Sequence, residues 1–365
     1  MKRVSLFITS LSSGGAEHQL VQLADFLSEE GYIVSIVTFA DMSDHYKAKD
    51  DVNRVRLAVG KNRILKIISI FFYFLTVKTD VVISFGQRTN LMSLIPLFFR
   101  RGVNVICGER NLTIGKPSRT EKLLFCFLYK RANWIVPNSY SQEKHIISSN
   151  KSLGPRVKTI TNYTDINRYQ YFGYQNNTPL RVNLFCRYNK QKNYENFAKA
   201  VKLFQEKHKE KVLFAWYGDK YIKDTTFNPD YLRFSEIIKK CDVENVLKLE
   251  GKTDQVAQIM MESDAVCLPS YFEGFSNTLS EAICCGKIVL ASNVSDNSVM
   301  VHDGENGYLF DPYDVDDMVC TFEKFMNLSY EQRCEMSENS RKLAERLFSK
   351  EQFVNSYIKL IETLR

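Results

Sequence analysis

The stretch Glu273-Gly274-Phe275-Ser276-Asn277-Thr278-Leu279-Ser280-Glu281 concentrates more chemistry than any other in this sequence. It follows the apolar run AVCLP, which reads as a strand, and enters a helical segment at Asn277. Glu273 then precedes the helix and Glu281 lies about one turn inside it. A helix entrance presents unpaired N–H groups, here those of roughly Ser276 to Thr278, and such groups hold phosphate. Carboxylates accept hydrogen bonds from sugar or ribose hydroxyls. One short stretch can therefore grip both parts of a sugar nucleotide. Bare spacing also fits two exposed glutamates around an ordinary N-cap. Gly274-Phe275 behind the first Glu and Ala282 behind the second favour the functional reading.

Two further positions suit an anion. Strand LRVNLFCR ends at Arg187, and Lys192 follows at the start of the next helix. A planar guanidinium and a point-like ammonium there suit a diphosphate and can stabilise it as a leaving group. The plain alternative is two solvated surface cations. Ser12-Ser13-Gly14-Gly15 follows the first strand and opens the first helix, where glycines let a backbone approach a ligand. It also fits a simple strand-to-helix turn, and it lacks the GxGxxG spacing of a dinucleotide site. Glu109, in Val105-Ile106-Cys107-Gly108-Glu109-Arg110, can orient an acceptor hydroxyl or form a structural pair with Arg110. The five histidines, at 18, 45, 145, 208 and 302, show no catalytic grouping. Asp314-Val315-Asp316 is formally a DxD, but it begins a helix and reads as charge complementing the helix dipole. No metal site is expected.

The elements that must position these residues are short β-rich runs alternating with helical segments. In the first half the strands are expected at 4–9, 33–39, 81–84, 103–107, 134–137 and 157–160. The helices are expected at 16–30, 63–78, 90–101, 119–131 and 141–148. A polar stretch, 161–179, reads as a hinge. The pattern restarts at Leu180, with strands at 180–187, 212–217, 246–249, 265–268 and 288–291 and a long loop at 219–229. Helices fill 194–207, 231–240, 255–261 and 277–285, and the end is helical over 314–327, 330–348 and 350–364. This is an α/β protein of two doubly wound parallel sheets in series. Ligands in such sheets lie at the carboxyl ends of the strands, and two such domains facing each other would form a cleft.

The 365 residues suit two domains. A hydrophobic share of 44% with 25% charged residues is globular, and 16 Gly with 8 Pro exclude collagen-like and low-complexity classes. Nine scattered cysteines, none in a CxxC pair, argue for a reducing compartment and against a disulfide framework. The opening MKRVSLFITSLSSGG reads as a first strand rather than a secretory leader. The longest strongly apolar run, Ile67 to Leu75, falls short of a membrane span. Residues 1–175 hold 24 of the 49 basic and 13 of the 42 acidic residues, a balance of +11 within a total of +7. Such a field selects anionic partners. No nucleic-acid module is visible, which leaves an acidic membrane surface or a solvated basic face.

The run PSYFEGFSNTLSEAICCGKIVLAS resembles the hallmark of the retaining GT-B glycosyltransferases of family 4, with Ile288 in place of the usual Pro. Asp303 to Phe310 is similar to that family's NGxLF element. Arg187 to Lys192 resembles its RxxxxK element, Trp216-Tyr217-Gly218 its strand-end glycine, and Ser13-Gly14-Gly15-Ala16-Glu17 its first loop. The likeness runs from Val4 to about Phe348 and is looser in the first half. It implies a GT-B fold, with an acceptor-side domain at 1–165 and a nucleotide-sugar domain at 166–349. The last helix, 350–365, would cross back onto the first domain.

The resemblance also implies roles. Glu281 would bind the ribose, and Glu273 the transferred sugar together with backbone N–H groups of Gly274, Phe275 and Ser276. Asn277 and Thr278 would lie near the phosphates. Arg187 and Lys192 would neutralise the departing diphosphate, while Gly14, Gly15 and Gly218 would line the donor. Many relatives carry a His where this chain has Glu109. The reaction implied is metal-independent transfer, with retention, of a sugar from a nucleotide-diphosphate sugar, UDP-sugar favoured, to a glycan acceptor. The amphipathic, basic-flanked segments Arg63–Lys78 and Arg119–Arg131 suit a bilayer interface. They therefore favour a lipid-linked acceptor, as in capsule or other surface polysaccharide, and a cytoplasmic enzyme peripheral on the inner face of the membrane. A sugar-nucleotide-binding protein or an epimerase on the same architecture is the alternative.

Overall fold

The computed structural model describes residues 1–12, 14–39, 44–57, 62–110, 127–223 and 225–364. The chain divides into two compact units, Met1–Tyr163 with Lys350–Arg365, and Thr164–Ser349. In the first unit the strands are β1 (Arg3–Phe7), β2 (Ile33–Thr38), β3 (Asn53–Arg56), β4 (Val81–Phe85), β5 (Asn104–Glu109) and β6 (Trp134–Pro137). They pair in parallel in the order β3-β2-β1-β4-β5-β6. The helices are α1 (Gly15–Glu29), α2 (Arg63–Thr76), α3 (Gln87–Phe99) and α4 (Tyr140–Ser149). Strand β4, VVISF, is buried along its whole length because helices cover both faces of the sheet.

The second unit repeats this order. Its sheet runs β11-β8-β7-β12-β13-β14, all parallel, and the two remaining strands form a separate hairpin. The strands are β7 (Leu180–Phe185), β8 (Val212–Tyr217), β9 (Tyr221–Lys223), β10 (Thr226–Phe227), β11 (Leu247–Glu250), β12 (Ala265–Leu268), β13 (Ile288–Ser292) and β14 (Gly307–Phe310). The helices are α5 (Tyr194–His208), α6 (Pro229–Cys241), α7 (Val256–Met261), α8 (Asn277–Cys284), α9 (Asn297–Met300), α10 (Val315–Met326) and α11 (Tyr330–Leu347). In each sheet the strand order reverses beside the first strand, between β1 and β4 and between β7 and β12. Connections leave such a point in opposite directions, so the loops after the two strands diverge and leave room for a ligand.

Helix α12 (Lys350–Glu362) packs with the first unit. Its Phe353, Val354, Tyr357, Leu360 and Ile361 join the core formed by α1 and β1. Three hydrogen bonds pin it further: Tyr357 accepts from Arg110 at 2.7 Å, and the Lys2 ammonium donates to the carbonyls of Ile361 and Leu364, each at 2.9 Å.

The structure departs from the sequence reading in four elements. The expected strand 157–160 is not a regular strand: Val157 forms an isolated bridge to Ile135, and the amides of Lys158 and Ile160 donate to the Ile135 and Pro137 carbonyls at 3.0 and 3.1 Å. Strand β3, NRVR, was not expected; with one β-branched residue it shows no alternation, and it is half exposed. Strand β14 starts on Gly307, where a Cβ would stand 2.0 Å from the Val289 carbonyl, so glycine there answers to strand spacing. The expected loop 219–229 holds the β9–β10 hairpin. Most of the helix expected at 119–131 lies outside the described residues. Among the described residues no helix is long and apolar enough to cross a membrane.

The docking of α12 gives a direct test. Ile361→Ala opens a cavity in the first unit and should lower stability by about 2–4 kcal/mol. Trp134 reports on that unit, its indole N–H lying 3.3 Å from the Thr363 hydroxyl. In a Trp216→Phe background, urea unfolding followed by Trp134 fluorescence should shift to lower denaturant; an unmoved midpoint would detach α12 from this core.

Candidate functional site

The candidate residues of the second unit gather on the loops that follow β7 and β12, on either side of the strand-order reversal. Those two loops are fastened to each other. The Tyr271 amide donates to the Gln191 carbonyl at 2.9 Å, and the Gln191 side chain donates to the Phe272 carbonyl at 2.8 Å. Lys192 Nζ then meets Glu273 Oε1 at 2.5 Å, with side-chain exposures of 12% and 10%. An ion pair this far out of water is held by geometry and costs several kcal/mol per ion to desolvate. The turn behind it is fixed by Asn189, whose side chain caps the Lys192 amide at 3.1 Å. From the next loop the Ser295 hydroxyl accepts from the Glu273 amide at 3.2 Å, with Ser295 held at φ +51°.

Helix α8 opens directly from this ion pair. Ser276 is its N-cap and accepts from the Leu279 amide at 3.4 Å. The Thr278 hydroxyl donates to the Phe185 carbonyl at 2.9 Å, fastening the helix to the end of β7, so what Thr278 offers an anion is its backbone. Phe275 turns its ring into the core, edge-on to Phe348 at 6.2 Å, and it too can contact a donor only through its backbone. Gly274 and Asn277 flank the entrance, both half-buried. Arg187 is exposed at the end of β7 and carries no ion pair among the described residues. At the end of β8, a Cβ on Gly218 would lie 2.5 Å from the Cys186 carbonyl, so only glycine lets the two strand ends approach.

Glu281 stands one turn into α8. Burial pushes its carboxyl up to about 7, against a lowering pull from the Tyr169 hydroxyl and from the Arg168 charge. Among the described residues Tyr169 is the side chain that hydrogen-bonds this carboxyl. Tyr169 was invisible to sequence reasoning, since it lies in the polar stretch taken as the hinge. Gln191 and Ser295 were missed for a similar reason: their roles come from loop geometry, which leaves no spacing signal.

In the first unit, Gly14 is the N-cap of α1 in an extended conformation, and Gly15 begins the helix. Among the described residues no side chain caps this entrance. The Glu17 carboxylate folds back over Gly14, where an added Cβ would lie 2.2 Å from Oε2. Ser13 lies outside the described residues. Glu109 ends β5 and is 5% exposed. It accepts from the Asn90 side chain at 2.8 Å and from the Tyr129 hydroxyl, both on Oε1. Burial is the largest cause that raises its carboxyl to about 7. The structural pair with Arg110 is not formed. Arg110 instead bonds Asn162 at 3.2 Å and Tyr357, and lies 3.7 Å over the Phe85 ring. Among the described residues no group of three or more His, Cys, Asp or Glu is placed to hold a metal ion.

Severing the Lys192–Glu273 pair on one side leaves a buried charge. Lys192→Met should cost about 3 kcal/mol, and adding Glu273→Gln should restore at least about half of it. Equilibrium unfolding of the single and double variants measures both; strict additivity of the two losses would show that the pair is uncoupled.

Residues 176–343 match the family described as Glycosyl transferases group 1. A 4-alpha-N-acetylgalactosaminyltransferase of Campylobacter jejuni, named for its N-acetylgalactosamine-N,N'-diacetylbacillosaminyl-diphospho-undecaprenol acceptor, is 23% identical over 80% of this chain and 81% of its own. An uncharacterized glycosyltransferase of Haemophilus influenzae is 22% identical over 94% of this chain and 96% of its own. The fold is similar to that of Anabaena HepE in complex with UDP and glucose, with a TM-score of 0.81 at 18% identity and full coverage of both chains. The second unit thus carries a glycosyl transferases group 1 domain, and the chain is a glycosyltransferase with the two-domain α/β architecture of GT-B proteins.

Proposed function

We propose that this glycosyltransferase transfers a sugar, with retention of configuration, from a UDP-sugar to a lipid-linked glycan acceptor. It would act in bacterial surface-polysaccharide assembly, as for capsule, at the inner face of the cell membrane and without a metal ion. The observation that carries the donor reading is the fastening of the β7 and β12 loops at the strand-order reversal. That fastening places two cations, two carboxylates and a helix entrance around one pair of strand ends. Support for UDP comes from the fold shared with a protein crystallised with UDP and glucose. Support for a lipid-linked acceptor comes from a relative named for a diphospho-undecaprenol acceptor.

The roles follow from the charges. The N–H groups at the start of α8 receive the diphosphate. Arg187 and Lys192 stabilise negative charge as it grows on the departing diphosphate, the work that a divalent cation does in other transferases. Glu273 keeps Lys192 extended toward the strand ends and offers its second oxygen to the sugar. Glu281 accepts from the ribose hydroxyls. In the first unit Glu109 keeps Oε2 clear of the bonds to Asn90 and Tyr129, and a carboxyl near 7 is matched to receive a proton from an acceptor hydroxyl.

Glu281 gives the donor reading a pH signature. Its folded carboxyl is raised, so its protonated form favours folding. That contribution is complete below about 4.5 and is lost as pH rises through about 7. Ribose hydroxyls would supply further partners and favour the ionised form. UDP should therefore bind about tenfold more tightly at pH 8 than at pH 6 through this group. Glu281→Gln should keep only the dependence due to the nucleotide's own phosphate. Calorimetric titration at both pH values decides it, and an identical pH dependence in the variant would remove Glu281 from the ribose.

The reaction itself is tested by the product. With UDP-sugars and a membrane extract as acceptor, proton NMR should show the anomeric configuration of the donor kept in the new linkage. The rate in excess EDTA should stay within about twofold of the untreated rate. An inverted product would overturn the retaining mechanism, and loss of turnover restored by magnesium would overturn metal independence.

A further inference from the structure

We infer that the outer face of α2, continued by the last turn of α3, is a docking surface for the anionic interface of a lipid bilayer. The inference rests on the proposed lipid-linked acceptor for the membrane concerned, and on the structure for the surface. Helix α2 is almost wholly apolar, RILKIISIFFYFLT, yet only Ile70 and Phe74 are fully buried. Ile64, Ile67 and Phe72 stand 68%, 55% and 59% exposed. Phe99, at the end of α3, is 73% exposed and lies 6.3 Å from the Phe71 ring. Phe98 continues the patch to Phe127 at 5.1 Å. Isolated exposed apolar residues are ordinary, but a contiguous aromatic and aliphatic face of this kind marks an interaction site.

Charge selects the partner. Lys66 lies within α2, Lys78 follows α2 by two residues, Arg101 follows α3 by two and Lys130 follows Phe127 by three, the last three exposed. The acidic residues between 62 and 110 are Asp80 and Glu109. Asp80 is held by the Arg3 amide at 2.7 Å, and Glu109 is buried. Among the described residues none of these four cations forms an ion pair, so the patch carries positive charge at its rim. Pairing with a second copy would set like charges against each other, whereas an anionic leaflet neutralises them and takes up the rings. At 14 residues α2 reaches about 21 Å, too short to span a bilayer, so it lies in the interface plane.

The test uses the full chain with vesicles of phosphatidylcholine, alone or with about 40% phosphatidylglycerol. The parent should sediment with the anionic vesicles and far less with neutral ones. The double variant Phe72→Glu/Phe99→Glu should partition at least about tenfold more weakly. Lys78→Glu/Arg101→Glu should lose binding to anionic vesicles in particular. In a Phe72→Trp variant, brominated lipid should quench the new fluorescence. Both double variants should retain the parent's thermal shift with UDP, which shows that they fold. Equal pelleting of parent and Phe72→Glu/Phe99→Glu would overturn the inference. So would a parent dimer that this variant dissociates while vesicle binding persists. UDP binding is measured without vesicles, so a failed donor reading and a failed docking surface give separate results.

Discussion

Lys192 and Glu273 meet where the second sheet reverses its strand order, and that contact fixes the candidate site. Strand-order reversal sends the loops after β7 and β12 apart, and a loop without regular structure would leave Lys192 free to wander in water. The exchange between Gln191 and residues 271–272 removes that freedom before the ion pair forms. The pair then needs to supply only direction. With both side chains close to one-tenth exposed, its Coulomb attraction competes with a large desolvation cost. Its value lies in holding a cation at a defined place without consuming all of its three donors.

The two carboxyls raised to about 7 show the same logic from the opposite side. Glu109 is buried and Glu281 half-buried, each with few hydrogen-bond partners among the described residues. A fold selected for stability alone would protonate, pair or replace them. Each instead keeps acceptor capacity that a hydroxyl from outside can fill, and the burial that raises the carboxyl also strengthens that hydrogen bond. Tyr129 and Asn90 both bind one oxygen of Glu109, which orients the carboxyl while leaving the other oxygen out of the network.

Much of this was legible in the sequence, for stated reasons. Alternating apolar runs and helical stretches disclosed two parallel sheets because strands covered on both faces cannot hide their composition. Glu273, Glu281, Arg187 and Lys192 were legible because strand ends and helix entrances have local signatures. Phe275 and Thr278 show the limit. Both belong to the motif, but the ring of one lies in the core and the hydroxyl of the other ties α8 to β7. Tyr169 and Gln191 act across loops brought together by tertiary packing, which no spacing encodes. The pairing of Glu109 with Tyr129 rather than with its neighbour Arg110 belongs to the same class: adjacent residues at a strand end point to opposite faces, so chain proximity misleads.

The two units share one strand order and differ in what they place on it. The second invests its polar residues at the carboxyl ends of β7 and β12, where charges are paired, capped and half-hidden. The first has Gly14 and Gly15 at the entrance of α1 and carries exposed cations, Lys78 and Arg101, beside α2 and α3. Keeping Ile64, Phe72 and Phe99 in water forgoes apolar burial worth roughly 1.5–3 kcal/mol for each side chain, a loss that makes physical sense if another apolar phase takes them up during the enzyme's work.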